Sequence, residues 1–329
     1  MNSIEKRRQN DLAGLLFVHH FGWLRAIELG ALLFPKNATA AEAANRIIRG
    51  WKNRNLVIVR ELPDRAGKAV VLAAAGVRFL SENGHKASSG KDLGSTKNGE
   101  WKPPASWRHD LIAAGVLVEL RKRGYSVIPE TSLRRYQSDA TKLPDGLAKA
   151  PGTEIWIWIE VEHARKTGRN LKDLGHAIAL AAIGCIKPVA GISCSAAMVA
   201  YSDVQDERGY AINHKSRVIK AVSEHAKEPI SVSLVQCNLV GAGVGSIIIE
   251  KTLVEPQKAL EVLRRMNAKG WVQEDFIQRC SYSGFKASVA QEDVEGTLWS
   301  WRVEGEPAGY ADSLTEAKQR CAQAIAKLL

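Results

Sequence analysis

Residues 154–166, EIWIWIEVEHARK, run from the most hydrophobic strand candidate of the chain into two carboxylates and a burst of positive charge. Side chains of a strand alternate between its faces, so Ile155, Ile157, Ile159 and Val161 share one face and Trp156, Trp158, Glu160 and Glu162 the other. Glu160 and Glu162 therefore stand side by side. Like charges repel and resist desolvation, so basic side chains, protons or a metal ion must compensate them. Two more acids belong to the same question. Glu119, in WRHDLIAAGVLVELRKRG, falls three residues after Val116 and seven after Ile112, on the apolar stripe of a helix. Asp145 follows Pro144, 15 residues before Glu160. Four acids are thus expected at one edge of a sheet.

The elements that must position them begin at Trp107. A helix is followed by a strand in YSVIPETSL, a polar stretch ending in TKLPDGL, the strand at 154–162, a helix in NLKDLGHAIALAAIG and a strand around KPVAGISC. A mixed sheet flanked by helices is the simplest architecture that buries all of these. In this order, PD at Pro144 and Asp145 with EVE at Glu160 to Glu162 resembles the core of PD-(D/E)XK, restriction-endonuclease-like proteins. The resemblance implies that Asp145 and Glu160 hold Mg²⁺ or Mn²⁺, which lowers the pKa of a water and neutralises charge on the phosphate. Glu119 would add an outer or second-metal ligand. The family motif normally ends in a lysine, where this chain has Glu162. By the resemblance Glu162 is a general base or second-metal ligand, with Arg165, Lys166 or Arg169 as candidates for the missing cation. Simple ion pairing of Glu160 and Glu162 with Arg165 and Lys166 is the alternative.

The N-terminal third has a different character. NDLAGLLFVHHFGWL, RAIELGALLFP and TAAEAANRIIRGWKNRN show helical spacing, and Thr39 with Glu42 three residues later forms a capping-box pattern. LVIVREL, the turn-rich PDRAGK and AVVLA read as a hairpin before a short helix, AAGVRFLSENG. Three helices and a hairpin are the winged-helix order. The progression from LGALLFP to ANRIIRGW resembles the winged-helix region of plasmid and mobile-element proteins of the replication-relaxation type. That implies a third helix entering the major groove, with Asn45, Arg46, Arg49 and Lys52 reaching bases or phosphates and Arg65 and Lys68 at the wing tip. The alternative is that these cations only solvate a helix face.

Charge supports a polyanionic partner. Lys and Arg outnumber Asp and Glu by 17 to 9 over residues 1–106 and by 23 to 17 over 107–270, whereas acids lead by 9 to 6 over 271–329. The five cysteines are widely spaced without a CxxC pair, which argues against a disulfide framework or zinc site. No apolar signal core or membrane-length run occurs, so a cytoplasmic protein without a membrane partner is expected. His109-Asp110 reads as a helix-start cap, GAGVG at 241–245 as a hairpin turn, and His163 and His176 as solvated or capped.

The expected fold class is a multidomain α/β (α+β) chain. A winged helix-turn-helix occupies 1–82, a Gly/Ser/Lys/Pro-rich linker 83–106, a nuclease-like mixed sheet 107–254, and a small α+β module of helix, three strands and helix 255–329. The last suits packing or a protein partner, and a homodimer is left open. The expected function is DNA binding with Mg²⁺-dependent phosphodiester cleavage linked to plasmid or mobile-element DNA. The alternative is a non-catalytic DNA-binding factor, without a cofactor, whose nuclease-like fold is inert.

Overall fold

The computed structural model describes residues 3–88, 94–97, 100–136, 142–164, 166–202, 213–274, 277–293 and 297–329. Helices α1 (Ser3–Phe21), α2 (Ala26–Leu33) and α3 (Ala40–Asn53) precede the hairpin β1 (Val57–Glu61) and β2 (Lys68–Leu72), then α4 (Ala74–Glu82). A short hairpin, β3 (Ser95–Lys97) and β4 (Glu100–Lys102), leads into α5 (Trp107–Lys122), β5 (Ser126–Pro129), α6 (Glu130–Tyr136), β6 (Gly146–Lys149) and β7 (Trp156–Glu162). Next come α7 (Gly168–Ala182), β8 (Ala196–Ser202), α8 (His214–Ser223), β9 (Ile230–Val240) and β10 (Gly243–Val254). The chain ends with α9 (Gln257–Lys269), β11 (Val272–Glu274), β12 (Ile277–Tyr282), β13 (Phe285–Gln291), β14 (Trp299–Val303), β15 (Gly309–Ala311) and α10 (Leu314–Leu328). The chain is mixed α/β, and no helix among the described residues is long and apolar enough to cross a membrane.

Two compact units form: Met1–Lys166 with Leu180–Lys215 and Val232–Thr252, and Thr167–Ala179 with Ser216–Ser231 and Leu253–Leu329. A mixed six-stranded sheet runs in the order β10-β9-β8-β7-β6-β5. β7 is parallel to β8, and β8 to β9, while β6 is antiparallel to both β5 and β7. An inner strand loses water on both faces, and β7 is buried from Ile157 to Glu162. Ile157, Ile159 and Val161 share one core with Leu15, Leu29 and Trp51 of the first three helices and Val116 and Leu120 of α5.

The first three helices are fixed by close approach and by one buried polar clamp. Gly30 leaves no room for a Cβ beside the Ala40 backbone, which lets α2 and α3 meet closely. The Trp51 indole N–H donates to Asp11 Oδ1 at 2.7 Å and the Arg54 guanidinium to Asp11 Oδ2 at 2.8 Å, tying α3 to α1. β1 and β2 pair from Val57–Leu72 to Glu61–Lys68. Leu24, between α1 and α2, exchanges both backbone hydrogen bonds with Val70 and so adds a one-residue third strand.

Several elements differ from expectation. The Thr39–Glu42 capping box does not form; the Thr39 hydroxyl donates instead to Asn37 Oδ1 at 3.0 Å. The strand expected in YSVIPETSL stops at Pro129 and becomes α6, where Glu130 pairs with Arg134 one turn on. The strand expected around KPVAGISC lies later, at Ala196–Ser202. Ala190 and Gly191 take left-handed φ of 52° and 78°, closing a turn in which Val189 and Ile192 exchange hydrogen bonds. Residues 83–106 carry the β3–β4 hairpin, with Trp101 packed against Trp23, Leu62 and Trp107, and residues 89–93 and 98–99 lie outside the described set.

In the second unit α9 and α10 pack on an antiparallel five-stranded sheet, β11 to β15 in sequence order. Met266, Val289, Val303, Cys321 and Ile325 are at its core. The three expected strands match β12, β13 and β14. The edge strands β11 and β15, three residues each, are too short to show a period.

Candidate functional site

Asp145 sits immediately before β6, where its backbone N–H donates to Ile159 O at 3.0 Å. That register turns its carboxylate over the end of β7. Oδ2 accepts from the Val161 N–H at 2.7 Å, and Oδ1 lies 2.7 Å from His109 Nε2 on α5. Between those two β7 residues, Ile159 and Val161, Glu160 Oε1 accepts from the Trp158 indole at 2.8 Å and from Lys142 Nζ at 2.9 Å. The Trp158–Glu160 bond shows the alternation directly, since residues two apart project together. Glu162 is as buried as Glu160, each 2% exposed. Its Oε2 has Lys166 Nζ at 3.3 Å, within ion-pair range but not aligned for a hydrogen bond.

The electrostatics follow from burial and these partners. Burial pushes the Asp145 carboxyl up, but the hydrogen bond and charge of His109, with the Val161 N–H, outweigh it and hold the group below the usual range. His109 shows the reverse: burial lowers its pKa, and Asp145 more than restores it, leaving it raised. Burial raises Glu160, reinforced by the Asp145 charge and opposed by Lys142. Burial also raises Glu162, against the pull of Lys166. His163, stacked edge-on to His109 at 5.5 Å, is driven down to about 4 by burial and by neighbouring cationic groups that include His109 and Arg108.

Asp145, Glu160, Glu162 and Lys166 are therefore brought together. Glu119 is not. It pairs with Lys122 at 2.6 Å, ten residues beyond His109, which is about 15 Å of helix rise. Glu119 is not among the buried residues of α5, and a stripe fixes a face and not a height. Arg165 lies outside the described residues, and Arg169 pairs with Asp173 at 3.7 Å. Lys142 and His109 were missed as partners. His109 gave a usable signal, since it precedes Ile112 by three and Val116 by seven residues and so shares their stripe. It serves Asp145 rather than the helix start, whose N-cap Ser106 donates to Asp110 at 3.2 Å.

A hard divalent ion prefers carboxylate oxygens, so the donor chemistry here suits Mg²⁺. The arrangement suits it less. Both Asp145 oxygens and Glu160 Oε1 already accept hydrogen bonds, and Lys142 and Lys166 pair with Glu160 and Glu162. Among the described residues no three His, Cys, Asp or Glu are arranged to hold a metal ion.

The second candidate region is the face of α3. Asn45, Arg46, Arg49 and Lys52 are exposed there, as are Arg65 and Lys68 of the hairpin. Asn45, Arg49, Lys52 and Lys68 line one concavity of about 650 Å³ between α3 and the hairpin. Arg46 lies outside its wall. Arg65 occupies the hairpin tip, where Asp64 and Arg65 both take left-handed φ, 56° and 57°. The concavity is braced by Arg25, whose guanidinium grips Glu28 and donates to Ala66 O at 2.7 Å, joining α2 to the turn. Comparison of the chain with protein-family models, with curated proteins and with solved structures finds no match.

Proposed function

We propose that this chain is a DNA-binding protein that docks duplex DNA on α3 and the β1–β2 hairpin, the two acting as recognition helix and wing of a winged helix. One observation carries the reading. Cations from separate elements, Arg49 and Lys52 on α3 and Lys68 on β2, converge on one open concavity without an ion pair to any described residue. Exposed cations that no acid neutralises are suited to phosphates, and Asn45 beside them can donate to base edges. The element order and the Leu24–Val70 bridge support the same docking geometry. The test is duplex affinity across a salt series. Each phosphate contact adds about 0.9 to the slope of log affinity against log salt. Arg49→Ala with Lys52→Ala is expected to weaken binding at least tenfold and to flatten that slope by nearly two contacts. A slope near zero for the unaltered chain sinks the reading.

On this reading the acidic centre is a charge-compensated part of the fold. A second reading, Mg²⁺- or Mn²⁺-dependent phosphodiester cleavage, is favoured by the Glu162 oxygen that lacks an aligned donor and by the proximity of Asp145 to Glu160. It requires a divalent ion to exchange with Lys142 and Lys166. When bound, such an ion would activate a water and neutralise phosphate charge. Supercoiled and branched DNA incubated with either ion, with Glu160→Gln as the control, decides between the two readings. Cleavage abolished by the substitution supports catalysis; no cleavage by either protein removes it.

A further inference from the structure

A carboxylate at the tip of a DNA-binding wing is a puzzle, because it repels the phosphate backbone that the surrounding cations attract. Asp64 is such a carboxylate, and it does not point idly into solvent. It is ion-paired with Arg108, the second residue of α5, and both side chains stay more than half exposed, at 57% and 56%. The Arg108 guanidinium also lies 5.1 Å from the Trp107 ring centroid. It is thus held against an aromatic surface with one edge engaged by an acid. That is the way Arg receives a phosphate, planar and already ordered. Asp110, one turn from Trp107, is bonded to Ser106 instead.

We infer that Arg108 is a phosphate-binding residue of the nucleic-acid interface and that Asp64 stands in for the phosphate in the free protein. The inference rests on the DNA-binding reading above and deepens it. An exposed ion pair contributes little, typically about 0–1 kcal/mol, so a backbone phosphate can displace Asp64 at small cost. The wing stays packed on α5 through Leu62, Ala66, Trp107 and Leu111 when the pair opens, and Arg108 precedes His109, the partner of Asp145, along that helix. The Arg108 charge already reaches this centre, being one of the cationic influences on His163.

A simpler origin for Asp64 is its turn, since Asp tolerates left-handed φ. Asp64→Asn separates the two, because Asn suits the same backbone and removes only the charge. Duplex affinity is measured over a salt series for the unaltered chain, Asp64→Asn, Arg108→Gln and the double variant, with thermal melting as a check of folding. Expected are a gain of about threefold or more for Asp64→Asn and a several-fold loss for Arg108→Gln, whose salt slope falls by about 0.9. In the Arg108→Gln background Asp64→Asn should change nothing beyond twofold. An equal gain with and without Arg108, or no gain at all, overturns the assignment while leaving DNA binding intact. Salt-insensitive or absent binding by the unaltered chain overturns both.

Discussion

At the scale of single residues, the acidic centre shows how a fold accommodates charges that its strand pattern forces inside. Glu160 and Glu162 are buried because β7 is an inner strand, and each meets a lysine that comes from outside the sheet. A stability–pH experiment reads this out. Burial raises the folded pKa of Glu160 above its ordinary 4.5, so the unfolded chain ionises first. Its contribution is fullest below 4.5 and is lost as pH rises through the folded pKa. His19 works in the opposite direction. Burial and Arg135 lower it from 6.5 to about 4, so stability falls as pH drops through that window, where the unfolded chain takes up the proton first. Relative to the unaltered chain, Glu160→Gln should gain in urea midpoint as pH rises above 4.5, and His19→Gln should lose the His19 part of the rise between about 4 and 6.5. Parallel curves for the two variants contradict this account. Three of the four acids were legible because alternation along a strand and a Pro-Asp turn fix direction locally. Lys142 was not, since a loop residue has no period to read.

At the scale of elements, the described helices other than α6 and α8, and the first hairpin, were legible from apolar spacing and from the turn-rich PDRAGK. What escaped were choices made by tertiary partners. α6 forms where strand propensity seemed to continue, with Ser132 and Leu133 buried against the rest of the unit. β8 begins beyond a tight turn that consumes the expected strand. Similarly, only the folded chain shows that the α3 surface depends on α1. Asp11 is 5% exposed and satisfies both Trp51 and Arg54. Asp11→Ala leaves a buried indole N–H without an acceptor and an arginine without its acid, a loss of about 2–3 kcal/mol. Urea unfolding checks the stability. Because α3 is also loosened, DNA affinity should fall although the substitution removes a negative charge. Unchanged stability contradicts the clamp.

At the scale of the whole molecule, the two compact units are interleaved along the chain. Thr167–Ala179 and Ser216–Ser231 belong with the C-terminal residues, and Gly175 lies directly against the Ala221 backbone there. A chain ended at Thr252 would keep these two stretches and lose most of the unit they pack in. It is expected to expose apolar surface and to unfold with a broadened, less cooperative urea transition; a sharp transition with intact affinity contradicts this.

The position of β7 inside the sheet also matters before folding is finished. Its parallel neighbour β8 begins at Ala196, 34 residues after Glu162. At about 5–20 residues per second of synthesis, that is about 2–7 s in which WIWIEVE has one edge open. A bare Trp-Ile run of that kind is an aggregation template, and charges placed within it break the template. Glu160 and Glu162, costly to bury later, guard the nascent strand first.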